Sequence, residues 1–168
     1  LKEDWPFFDD NNKERTYELV QVDAAISNPP YSQSWDITGK DTDPRFAEYG
    51  VAPKSKADYA FLLHNLYHLK SNGIMTIVLP HGVLFRGGDE KNIRQKVINK
   101  DYIDSIIGLP ANMFFGTGIP TIIMVLKKKR PNNDVLIIDA SKGFTKDGNK
   151  NKLREKDIKK ILDTVFNR

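Results

Sequence analysis

Apolar runs of strand length that alternate with amphipathic stretches of helix length predict an α/β fold for this 168-residue chain. Two observations carry that prediction. Ile74 to Leu79 and Thr121 to Leu126 are almost continuously apolar, as suits strands covered on both faces. Between such runs, residues such as Leu62, Leu66 and Leu69 recur at the spacing of one helix face.

Taken in order, Leu19 to Ser27 reads as a first strand. It ends at Asn28-Pro29-Pro30-Tyr31, because two prolines cannot continue a central strand. Residues 32–54 are polar and contain Gly39, Pro44, Gly50 and Pro53, and a connection this long is usually functional or mobile. Ser55 followed by Asp58 fits a capping box that starts a helix, which Asn72-Gly73 should end through a left-handed C-cap. Ile74 to Leu79 is then a strand, closed by Pro80. Asp89 caps a second helix through about Asn99. Ile103 to Leu109, Thr121 to Lys127 and Val135 to Asp139 complete the strands, and an amphipathic helix from about Arg154 to Phe166 ends the pattern.

The hydrophobic fraction is 39% and the charged fraction 29%, which excludes a disordered polyelectrolyte. No apolar run approaches the roughly 20 residues needed to span a bilayer, and a cytoplasmic location without a signal peptide is expected. Zero cysteines exclude disulfides, thiolate metal sites and thiol nucleophiles. The net charge of +4 is uneven: Lys127 to Lys160 holds 12 basic and 5 acidic residues, which permits a polyanionic partner. The chain opens on Leu1 followed by acidic and aromatic residues, and reads as part of a longer polypeptide.

In an open α/β sheet, ligands bind beyond the carboxyl ends of the strands. Three segments there are unusual: residues 28–31, Pro80-His81-Gly82, and residues 112–120. The first is the sharpest. Proline fixes its own φ and extends the residue before it, so the turn is stiff. It can present the Asn28 side-chain oxygen and the Pro29 carbonyl side by side, with the Tyr31 ring beside them. Two acceptors suit an exocyclic amino group such as adenine N6, whose lone pair is delocalised into its ring; holding both hydrogens restores electron density on nitrogen. The Tyr31 ring suits stacking on a base flipped from the duplex. The competing reading makes Asn-Pro-Pro a loop opener.

The resemblance extends well past that tetrapeptide. Ile26-Ser27-Asn28-Pro29-Pro30-Tyr31, Lys54-Ser55-Lys56-Ala57-Asp58-Tyr59-Ala60-Phe61 and Val78-Leu79-Pro80-His81-Gly82-Val83-Leu84-Phe85 are followed by Ile107-Gly108-Leu109-Pro110, Phe115-Gly116-Thr117-Gly118-Ile119-Pro120-Thr121 and Ile138-Asp139-Ala140-Ser141. In order and spacing these resemble the modification subunit of type I restriction-modification systems, an adenine-N6 DNA methyltransferase. The resemblance implies a partial doubly wound, Rossmann-like sheet flanked by helices, mostly parallel with one antiparallel strand near its edge. It implies S-adenosylmethionine as methyl donor, and double-stranded DNA and a specificity subunit as partners, and leaves open whether a restriction (nuclease and translocase) subunit joins them. Carried over, Asn28, Pro29, Pro30 and Tyr31 form the catalytic turn, Asn28 also borders the cofactor, and Tyr31 stacks on adenine. Phe115, or Phe114 as second choice, is the other aromatic at the base; the opposing reading buries both in the core. His81 lines the site or orients its loop.

The resemblance divides the chain into residues 1–141, the C-terminal portion of a catalytic domain, and residues 142–168, a basic segment with the terminal helix. The glycine-rich cofactor motif and the acidic residue that grips the ribose are expected upstream of Leu1. Gly116-Thr117-Gly118 is no substitute, because no helix opens after it. The chain alone is therefore expected to be inactive, with an exposed edge on the first strand that favours self-association. The competing function is a non-catalytic DNA- or partner-binding module, or a scaffold whose terminal helix docks the specificity subunit. No metal site is expected: His64 and His68 have the spacing of a zinc pair but lack a third ligand, while Asp9, Asp10, Asp41 and Asp43 read as solvated loop acids.

Overall fold

The computed structural model describes residues 19–168. A five-stranded sheet runs in the order β1-β2-β4-β3-β5, with β1 Val22–Ser27, β2 Leu69–Pro80, β3 Ile103–Gly108, β4 Thr121–Lys127 and β5 Leu136–Asp139. Strand β1 pairs parallel with β2 through the crossover helix α1 (Asp58–His68), and β3 pairs parallel with β5. Strand β4 is antiparallel to both β2 and β3. The connection 109–120 contains no helix, so the chain can only turn back beside β3. Among the described strands of this sheet β4 alone runs antiparallel to the rest, with β3 and then β5 beyond it.

Alternation along β4 divides the core between the two faces. Ile122, Met124 and Leu126 join a large cluster with Leu62, Leu63 and Leu66 of α1 and with Ile93 and Val97 of α2 (Gly88–Asn99). Val125 and Ile123 face the opposite way, toward Ile107, Leu109, Leu153 and Ile161 of the terminal helix α3 (Glu155–Phe166). The inner strands β3 and β4 are thus covered on both sides, which is why β4 reads as an unbroken apolar run.

Several local expectations are corrected. Strand β1 begins at Val22, and Leu19 forms only an isolated bridge. Ser55 does not cap α1. The N-cap is Ala57 without a side-chain bond, and Asp58 is turned into the protein, where a stronger donor takes it. The helix ends at His68, and Leu69 is already extended at φ −77° and ψ 129°. Pairing with β1 captures the next residues, with a register shift between the Val22–Leu69 and Ala24–Ile74 pairs. Gly73 is consequently no left-handed cap. A Cβ there would lie 2.7 Å from Leu69 Cδ1 and 2.9 Å from the Asp23 carbonyl oxygen, so glycine permits the close approach of β1. Asp89 sits in the first turn of α2, favourable to the helix dipole, but the N-cap is Gly87. In α3 the Asp157 carboxylate accepts from the Arg154 N–H at 3.2 Å, closing the first turn.

Segment 32–54 is packed: Phe46 and Ala52 are fully buried, and Trp35 Nε1 donates to the Pro53 carbonyl at 3.0 Å. The stretch 142–153 contains a hairpin of β6 (Thr145–Asp147) and β7 (Lys150–Lys152), turned at Gly148 with φ +56°. No helix of the described residues is long and apolar enough to cross a membrane.

Candidate active site at the carboxyl ends of the strands

The sheet registers Ser27 against Ile77, Pro80 against Thr121, and Gly108 against both Ile122 and Asp139. Three connections therefore emerge at one end of the sheet: residues 28–31 after β1, residues 81–87 after β2, and residues 109–120 after β3. They are joined directly. The His81 N–H donates to the Pro120 carbonyl at 3.0 Å, and the rings of Tyr31 and Phe114 meet edge to face with centroids 5.9 Å apart.

Pro29 is buried while Asn28 and Pro30 are exposed, so the turn is anchored by one ring and open on its polar side. Neither proline has an N–H, and the backbone of residues 29 and 30 can offer only acceptors. The Tyr31 hydroxyl donates to Asn28 Oδ1 at 2.8 Å. That bond orients the amide and uses one of two lone pairs, leaving the other for an incoming donor. Burial pushes the Tyr31 hydroxyl above its ordinary pKa, so at neutral pH it remains a phenol able to make this bond.

The anchor just beyond the tetrapeptide was not legible in the sequence. Ser32 adopts φ +50°, an uncommon conformation for a residue with a side chain. Its N–H donates to Asp58 Oδ1 at 2.7 Å. Asp58, 1% exposed at the start of α1, also receives Arg86 Nη2 at 2.6 Å, and Arg86 in turn forks onto Glu90 at 2.6 and 2.9 Å. Burial disfavours the Arg86 charge, but hydrogen bonds and charge from Glu90 and Asp58 outweigh it and raise its pKa. The group thus ties the end of the Asn28–Tyr31 turn to the connection after β2. The Arg86–Glu90 spacing of four was the available signal; the partner in residue 32 was not.

Of the two candidate aromatics, Phe114 is partly buried and faces Tyr31, whereas Phe115 is 92% exposed. The exposed His81 opens a short 3-10 turn, His81–Leu84, with its ring 5.4 Å from Phe85. The connection carrying Phe114 and Phe115 is held from the far side by the β6–β7 hairpin, through Lys150 and Asn151.

The residues weighed for metal binding are engaged elsewhere. His64 and His68 have ring centroids 5.4 Å apart; His64 Nδ1 faces Arg45 Nη1 at 3.2 Å and His68 Nδ1 faces the Val20 carbonyl at 2.7 Å. Asp43 pairs with the buried Arg45, and Asp41 is exposed. Among the described residues no group of three or more His, Cys, Asp or Glu could hold a metal ion. Asp9 and Asp10 lie outside the described residues.

The class this defines is an α/β sheet with one antiparallel strand and a candidate site at the strand ends. A candidate class I S-adenosylmethionine-dependent methyltransferase from Listeria monocytogenes superposes with a TM-score of 0.61 at 22% identity, over 89% of this chain and 43% of that one, a likeness of fold. The chain belongs to the N-6 DNA Methylase family, whose model matches residues 6–168. It is similar to the type I restriction enzyme MpnII methylase subunit of Mycoplasma pneumoniae, with 43% identity over 90% of this chain and 28% of the relative. It is also similar to the crystal structure of the type I restriction-modification system methyltransferase subunit from Streptococcus thermophilus: TM-score 0.85, 52% identity, 92% of this chain and 33% of that one. The chain spans about a third or less of these relatives' length.

Proposed function

We propose that the protein containing this chain transfers a methyl group from S-adenosylmethionine to N6 of a flipped adenine in double-stranded DNA, as the modification subunit of a type I restriction-modification system. A specificity subunit selects the DNA site, a restriction subunit joins the assembly, and the complex works in the cytoplasm. The observation that carries this reading is the turn at the end of β1, in which the Pro29 and Pro30 backbone offers only acceptors, Asn28 Oδ1 is oriented by Tyr31 and the Tyr31 ring is braced by Phe114.

In this reading Asn28 Oδ1 and the Pro29 carbonyl accept the two amino hydrogens of adenine. Electron density returns to nitrogen, and the amino proton leaves more readily as its N–H bonds are polarised. Tyr31 stacks on the base, Phe114 fixes the plane of that ring, and Phe115 is the exposed aromatic available to the base or its neighbour. Pro30 keeps the turn rigid, and His81 aligns the adjoining connection. S-adenosylmethionine, when bound, supplies a methyl group on a positively charged sulfur. The described residues fit the adenine side of the reaction; for the donor they offer Asn28 at its border but no glycine-rich turn from strand to helix that would hold its nucleoside. The basic segment 142–168, with its terminal helix, is the part proposed to face DNA or the specificity subunit.

The test is labelled-methyl transfer from S-adenosylmethionine to duplex DNA by the full-length polypeptide with its specificity partner, wild type against Asn28→Ala. Transfer is expected to vanish in the variant while DNA binding is retained. Equal transfer by both reduces the tetrapeptide to a turn and favours the binding-module function.

A further inference from the structure

The connection 109–120 carries the site's second aromatics yet has no secondary structure of its own, so its carbonyl groups need donors from elsewhere. One side chain supplies three. Lys150 Nζ, reaching across from β7, lies 3.0 Å from Asn112 Oδ1, 2.7 Å from the Phe114 carbonyl and 3.1 Å from the Thr117 carbonyl. An ammonium has three donors, and all three are spent on this one loop. The neighbouring backbone reinforces it: Asn151 N–H donates to the Asn112 carbonyl at 3.0 Å, and Asn151 Nδ2 to the Ala111 carbonyl at 2.7 Å. Asn112 is held at φ +57° in the process.

We infer that Lys150 is a positioning residue for methyl transfer, fixing the loop at the Phe114 carbonyl and so holding the Phe114 ring against Tyr31. The inference rests on the site reading above and adds a residue far from it in sequence. A compact ammonium is required because its donors converge on acceptors at three different angles; the planar fork of arginine cannot copy that geometry. Lys150 touches neither base nor donor, and its effect travels through Phe114 to the stacking partner of the adenine. A misplacement of about 1 Å in such a support can cost on the order of a hundredfold in rate.

The experiment uses the full-length polypeptide with its specificity partner and measures single-turnover methyl transfer from labelled S-adenosylmethionine, DNA affinity at two salt concentrations, and the unfolding midpoint. Lys150→Met is expected to lower the transfer rate by about tenfold to a hundredfold, with DNA affinity and its salt dependence within about twofold of wild type. Lys150→Gln, which reaches one acceptor, serves if the Met variant does not fold, and is expected to fall between. Phe114→Ala should lower the rate similarly, and adding Lys150→Met to it should lower the rate no further, because the two act as one unit. An unchanged rate in Lys150→Met and Lys150→Gln overturns the inference. So does a loss confined to DNA affinity with a shallower salt dependence, which would make Lys150 a phosphate contact, or a loss that adds fully to that of Phe114→Ala. Asn28→Ala is run in parallel: full activity there overturns the site reading, whereas loss there with an unaffected Lys150→Met overturns this inference alone.

Discussion

Removing the Asp58 carboxylate should loosen the turn and destabilise the chain by a predictable amount. Asp58 is 1% exposed and holds three donors, the Ser32 N–H at 2.7 Å, the Ser32 hydroxyl at 3.5 Å and Arg86 Nη2 at 2.6 Å. Truncating one partner of a buried ion pair typically costs about 3–5 kcal/mol, because the remaining charge is left uncompensated. Arg86 keeps its fork onto Glu90 and is itself 23% exposed, so its charge is not orphaned. Asp58→Ala therefore belongs at the low end, about 3 kcal/mol. Asp58→Asn keeps an oxygen for the Ser32 N–H but loses the charge, and should cost about 1–2 kcal/mol. In a chain of this size those losses lower Tm by roughly 6–12 °C and 2–8 °C. Urea unfolding of the chain, with the slope m held constant, measures both. Losses under 0.5 kcal/mol for Asp58→Ala, or equal losses for both variants, would refute the latch; ~0.5 kcal/mol is where ordinary surface substitutions fall.

Three further outcomes are expected from the same geometry. Burial pushes the Asp104 carboxyl up, but hydrogen bonds from Ser105 and Lys127 and the charges of Lys127 and Arg168 outweigh it, so its folded pKa lies below the ordinary value. Its stabilisation is then present above the unfolded pKa of about 3.9 and lost as pH falls through the folded value; Asp104→Asn should be less stable than wild type at pH 7, with the gap closing below about pH 4 in acid unfolding curves. Gly73→Ala should destabilise by about 1–3 kcal/mol in denaturant titrations, since its Cβ meets backbone as well as the Leu69 side chain. Strand β1 pairs only with β2 among the described residues and carries Ile26 at 89% exposure, so the chain should self-associate in sedimentation, and Ile26→Lys should reduce that without lowering Tm.

The inner strands were legible because burial on both faces demands apolar runs, and β4 matches its expected bounds, Thr121–Lys127. The end of α1 was not. Local signals at Asn72-Gly73 favour a cap, but pairing with a strand almost fifty residues earlier takes the segment from Leu69 onward. Asp58 shows the same conflict, since a capping pattern describes its neighbours in sequence while Ser32 and Arg86 decide its direction. The β6–β7 hairpin left one signal, the Gly148-Asn149 turn, but its polar strands lack apolar alternation. Sequence singled out the Asn28–Tyr31 turn correctly as a strand-end feature. It ranked Phe115 before Phe114, whereas in the fold Phe114 meets Tyr31 and Phe115 is exposed; adjacent phenylalanines differ only in which way the folded loop points them.

The atom that receives the methyl group is the most direct point of decision. Duplex DNA modified by the full-length polypeptide and its specificity partner should be digested to nucleosides and analysed by mass spectrometry, with the Asn28→Ala variant alongside. The predicted result is label on N6 of deoxyadenosine alone, absent from the variant. Label on cytosine, or label on deoxyadenosine that survives Asn28→Ala undiminished, would contradict it.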